Sequence, residues 1–170
     1  MRKTFDIVLS ILISALLLAA CAGPGDIING IKVKNEINSY IEEISSLNKV
    51  QNTLLAKYEE GFVQESDNEK AFTNLNEEII PPFQSFLTNS KNIQLETEEV
   101  KELHSLYIQA MELQLEVFNG FKNSLETDND TLFDETNNKV DQVNELLDQH
   151  EKRFQELTEA YKVNLEFEGE

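Results

Sequence analysis

Apolar residues recur along most of this chain at steps of three and four, the spacing that places them on one face of an α-helix. In the first such stretch, from about Ile27 to Phe62, the face is written by Ile37, Ile41, Ile44, Leu47, Leu54, Tyr58 and Phe62, with Gln51 in the one polar gap. Gly30 and the mixed run Ile31-Lys32-Val33-Lys34 weaken its first turns, which are expected to fray. Ser66, with Glu69 three residues on, has the form of a capping box and predicts a second helix carrying Ala71, Phe72, Leu75, Ile79, Phe83 and Phe86. Pro81-Pro82 interrupts that helix. The missing N–H groups and the crowding rings predict a kink or a break, and because the face resumes in phase at Phe83 a kinked continuous helix is expected.

Thr97 before Glu98-Glu99 reads as an N-cap followed by acids at the positive end of a helix dipole. Val100, Leu103, Tyr107, Ala110, Val117 and Phe121 follow at helical spacing, Gln114 fills the open slot, and Leu106, Leu113 and Phe118 widen the stripe. This third helix is therefore expected to be the most buried, with Gly120 inside it for close helix contact. Asp128-Asn129-Asp130 forms a polar turn and cap. The fourth helix has the cleanest alternation: Phe133, Thr136, Val140, Val143, Leu147, His150, Phe154, Leu157 and Tyr161. An acidic end, Glu166 to Glu170, follows. Four long amphipathic helices on short turns predict an all-α, antiparallel bundle whose C-terminus returns to the end where it began.

The first twenty residues have a different pattern. Arg2 and Lys3 precede a nearly unbroken apolar run from Ile7 to Leu18, and the small residues Ala19 and Ala20 end it. This is the layout of a secretory signal. The run is shorter than the ~20 residues that span a bilayer as a permanent helix. Cys21, the only cysteine, cannot form a disulfide within the chain. Leu18-Ala19-Ala20-Cys21 resembles the lipobox of bacterial lipoproteins. The resemblance implies cleavage before Cys21 and diacylglycerol on its thiol, with the membrane as the partner held by that lipid. Two or more acyl chains anchor stably where one does so only marginally. The expected organisation is a lipoprotein signal peptide over residues 1–20, a lipidated tether over 21–26 and a helical bundle domain over 27–170. The expected location is the extracytoplasmic face of the cell membrane.

Charge narrows the partners. The chain carries 14 basic and 32 acidic residues, a net charge of −18. Removing residues 1–20 takes Arg2, Lys3 and Asp6 with it and leaves the remainder slightly more acidic still. Such a surface argues against nucleic acid and against an electrostatic second hold on anionic lipid. It keeps the domain soluble. Few glycines and prolines and no Trp point away from a β-sandwich, and the Asn-, Lys-, Glu- and Ile-rich usage resembles that of Gram-positive bacteria with AT-rich genomes.

No catalytic constellation emerges. Di-iron bundles pair Glu-x-x-His motifs, but Lys101 stands three before His104 and Leu147 three before His150. His150 falls on the core stripe as an interior or boundary histidine, and His104 is expected at the surface or edge. Counting from Asp128, an EF-hand would need Gly and Glu where Phe133 and Lys139 stand, so Asp128, Asp130 and Asp134 are read as capping the fourth helix. Neither a Gly-x-Ser-x-Gly motif nor a phosphate loop occurs. The aromatics fall at core spacing, with a groove beside Pro81-Pro82 as the alternative use.

In pattern, residues 27–165 resemble the helical bodies of small Gram-positive lipoproteins described as cell-wall-binding or of unknown function. The expectation is a non-enzymatic interaction or scaffolding module at the envelope, with an envelope protein or the cell wall as partner. The alternative is an envelope binding module for a small ligand or cation. Lipidation at Cys21 is the one site assigned; no catalytic, metal or cofactor-binding residue is.

Overall fold

The computed structural model describes residues 24–164, so the expected signal peptide, Cys21 and the acidic end lie outside the described residues. Among the described residues every element is helical, and the elements pack as an antiparallel bundle of four rods. The first rod is α1 (Pro24–Tyr58), extended by a π-helical turn, Glu59–Val63. Pro24, Gly25 and Asp26 are already helical, ahead of the expected Ile27. Nor are the first turns a loose end: Val33 is fully buried in the core with Ile37, Tyr40, Ile44 and Leu54.

Gln51 keeps its place on the buried side because its amide is satisfied. The Tyr107 hydroxyl donates to Gln51 Oε1 at 3.0 Å, and Gln51 Nε2 donates to Met111 Sδ at 3.3 Å. A polar residue in a core phase is stable when it finds such partners.

The second rod comprises α2 (Asn68–Thr73), a π-helical stretch Asn74–Ile79, and α3 (Ile80–Lys91). Its cap is Asp67, not Ser66: Asp67 Oδ1 accepts from the N–H of Glu69 at 3.0 Å and of Lys70 at 3.4 Å. Ser66 sits one residue too early, and its N–H is taken by Glu65. The rod is helical throughout, across Pro81-Pro82. In a regular helix those rings would meet the carbonyls of Glu77 and Glu78. Both carbonyls belong to the wider π-helical stretch, which makes room for the rings. Leu75, Ile79, Phe83 and Phe86 all point inward and are nearly or fully buried. Phe72, expected on that face, is only half-buried, and Ala71 takes the inward position one residue earlier. The two π-helical segments touch. A Cβ at Gly61 would fall 2.1 Å from Asn74 Nδ2, so only glycine admits the Asn74 amide.

The third and fourth rods, α4 (Glu98–Thr127) and α5 (Asp130–Ala160), form the most extensive pairing in the bundle. α4 is the central rod and buries Val100, Leu103, Tyr107, Ala110, Val117 and Phe121, as its stripe predicts. Gly120 lets α5 close in: a Cβ there would lie 2.4 Å from Thr136 Oγ1. The acidic turn divides its tasks. Asp128 adopts the left-handed conformation (φ 49°) that ends α4, and Asn129 caps α5 by accepting the Leu132 N–H at 3.0 Å. Capping by the aspartates is thus replaced by capping by the asparagine between them. At the far end Lys34 Nζ donates to the Lys162 carbonyl at 2.6 Å, which brings the end of the fourth rod back beside the start of the first.

Candidate functional site

Midway between that end and the centre, all four rods contribute to one polar cluster. Tyr40 enters from α1, the Ser90 carbonyl from the end of α3, His104 and Tyr107 from α4, and His150 from α5. His104 Nε2 lies 3.0 Å from the Ser90 carbonyl oxygen. A carbonyl only accepts, so Nε2 carries the proton and the neutral ring presents Nδ1 as an acceptor. The Tyr40 hydroxyl, 3.3 Å from that Nδ1, is then the donor. The same oxygen lies 3.4 Å from His150 Nε2 and accepts from it. Proton donation therefore runs one way, from His150 through Tyr40 and His104 to the Ser90 carbonyl. Both links made by the Tyr40 hydroxyl are long, so each is individually weak.

The rings reinforce the chain. Tyr40 meets His104 edge-on at 5.6 Å between centroids, and Tyr107 lies 5.5 Å from His150 and 6.2 Å from His104. Burial pushes His150 down to about 4, with the nearby His104 adding to the shift. Burial also lowers His104, against an upward pull from its bond to Ser90. Tyr40 and Tyr107 are raised, again by burial. All four rings are neutral at pH 7. A tyrosine held protonated and imidazoles that resist protonation sit in this interior without burying a charge.

His104 overturns the surface expectation: it is 8% exposed. The reason is tertiary, because the end of α3 and the loop after it lie across this part of α4. One signal was present in the sequence. Val100, His104, Tyr107 and Met111 step by four, three and four, a second stripe beside the one first traced, and all four are buried. His150 is half-buried on the α5 stripe, as expected.

On its outer side His104 also borders a shallow, open depression between α4 and the segment leaving α3. Ile93, Leu95 and Ile108 supply apolar wall, Ser105 and Gln109 polar wall. Lys91 and Lys101 border it, paired to Glu112 at 2.6 Å and to Glu98 at 2.7 Å. Beside Pro81-Pro82 the aromatics fill the core, as their spacing predicts, rather than the alternative groove: Phe83 and Phe86 are both buried. Asp128, Asp130 and Asp134 are exposed around the turn, and among the described residues no three His, Cys, Asp or Glu side chains stand together as a metal site. Cys21 lies outside the described residues.

The chain matches no protein-family model, no curated protein and no solved structure. Among the described residues no helix is long and apolar enough to cross a membrane.

Proposed function

We propose that this chain is a surface lipoprotein, tethered through lipid on Cys21, whose bundle serves as a non-enzymatic interaction or scaffolding module at the cell envelope. The observation that carries the reading is the pattern Leu18-Ala19-Ala20-Cys21 after a positively started apolar run, with the chain already helical by Pro24. The central histidines and tyrosines support the non-enzymatic part, because their polar atoms bond one another across the rods. Cys21→Ser removes the sulfur that carries the lipid; the variant should lose diacylglycerol labelling and remain an uncleaved precursor. Normal labelling of that variant would refute the anchor. Mild crosslinking in membranes followed by pull-down should recover a protein or wall fragment, and a small molecule recovered in place of either would refute the scaffold role.

The depression beside His104 favours a second reading, an envelope module that binds a small ligand with an apolar body and polar edges. It predicts stabilisation of about 2.7 kcal/mol at a hundredfold excess of ligand over Kd. A thermal melt unmoved by lipids, wall fragments and metals would remove it.

A further inference from the structure

α1 carries an apolar patch that the bundle does not use. Ile28 is 73% exposed and Ile31 58%, the two most exposed large hydrophobic residues among those described. At 3.6 residues per turn they share a face, and it is the face opposite Val33, Ile37, Tyr40 and Ile44, which enter the core. Farther along, the same outer face is polar and exposed: Asn35, Asn38, Glu42 and Ser46. On this face the apolar character is thus confined to the first two turns; Val50, 47% exposed farther along α1, lies to one side of it.

Those turns are the ones next to the lipid attachment point. Cys21 precedes Ile28 by seven residues and Ile31 by ten. An extended three-residue link reaches about 10 Å. The helical rise from Pro24 adds about 6 Å to Ile28 and about 10 Å to Ile31. Acyl chains on Cys21 hold it at the boundary between headgroups and hydrocarbon, so both isoleucines stand within reach of that boundary.

The nearby cations are otherwise engaged. Lys32 pairs with Glu96 at 2.9 Å, and Lys34 donates to the Lys162 carbonyl at 2.6 Å. With a net charge of −18, attraction to anionic headgroups is not the force available. Apolar burial is.

We infer that Ile28 and Ile31 form a second contact with the lipid surface, seating the outer face of the first turns of α1 in the membrane interface. The inference rests on the anchoring at Cys21 proposed above. Its consequence is orientation: a lipid on a short link alone lets the bundle swivel, whereas two apolar side chains on one helix face set which side of α1 meets the bilayer.

The test uses the full chain, expressed with its leader and reconstituted into phosphatidylethanolamine–phosphatidylglycerol vesicles. Ile28→Cys, Ile31→Cys and Glu42→Cys are made singly and labelled with an environment-sensitive fluorophore, acylated Cys21 being closed to the label. Mass spectrometry reports acylation in the same samples. All three positions are exposed, so none of the changes disturbs the core. A quencher carried on the lipid should reduce emission at positions 28 and 31 by about twofold or more relative to position 42. Added salt should leave the contrast unchanged, because the contact is apolar.

An acylated chain in which all three positions quench alike would overturn the inference and leave the anchor standing. Shielding of 28 and 31 from an aqueous quencher without quenching from the lipid would overturn it in favour of a protein cover, such as a second copy. A chain without acyl mass on Cys21 would remove the anchoring and the inference together.

Discussion

The carboxylate of Glu36 on α1 accepts both the backbone N–H of Thr97, at 2.8 Å, and the Thr97 hydroxyl. It also takes the N–H of Glu96. Thr97 stands at the cap position of α4 but makes no side-chain cap bond of its own, its hydroxyl being turned outward to α1. The start of the central rod is thus stapled to the first rod by a single carboxylate. Burial works against ionisation of Glu36, but the bonds from Thr97 and Glu96 and the charge of Lys32 outweigh it and hold the carboxyl below its usual range.

Glu36→Ala should therefore destabilise the bundle by about 1–3 kcal/mol, the loss for charge-assisted bonds whose donors are left partly buried. Urea denaturation checks this. Because the folded carboxyl titrates below the unfolded one, this contribution is complete above the unfolded value, about 4.3, and disappears as pH falls through the lower folded value. The difference between wild type and variant should shrink toward zero on acidification. A gap that widens in acid would contradict the staple.

His150 gives a pH dependence of the same sign in a higher window. Its folded value near 4 lies below the unfolded value of about 6.5. Above 6.5 the ring is neutral in both states. Between 6.5 and 4 the unfolded chain binds the proton more readily, so stability falls as pH falls through that window, by up to about 3 kcal/mol. His150→Gln removes this titration. Denaturation midpoints measured from pH 7.5 to 4.5 should decline less steeply in the variant than in the wild type.

Phe86 is 2% exposed and lies 5.3 Å, ring to ring, from Phe83. Phe86→Ala should cost about 3–5 kcal/mol, as buried large-to-small changes do. A loss well under ~1 kcal/mol in chemical denaturation would mean that the segment after Pro81-Pro82 peels away in solution.

At Gly120 a methyl group would drive into buried Thr136, 2.4 Å from its hydroxyl and 2.8 Å from its methyl. Gly120→Ala should lose about 1–3 kcal/mol to overpacking despite alanine's better helix propensity. Thr136→Ala in the same chain should restore part of the loss, because it removes the two atoms that clash hardest. A double-mutant cycle reads that coupling.

Periodicity along the chain settled the all-α class, the four rods and the inward stripes, because an amphipathic rod has one way to hide its apolar face and short turns send its neighbour back antiparallel. Gly120 and the half-buried His150 were legible for the same reason. What periodicity cannot convey is which rod covers a given face, and how closely. Val33, within a mixed run, is buried, and Phe72, on the predicted face, is only half so. His104 lies at the edge of its own stripe and is buried because the end of α3 crosses it. Glu36 meets Thr97, and Tyr40 meets both His104 and His150, across separations of 61 to 110 residues. Hydrogen-bond partners so far apart have no local signature. They are selected when packing fixes the register of one rod against another, and that register was decided only in the tertiary structure.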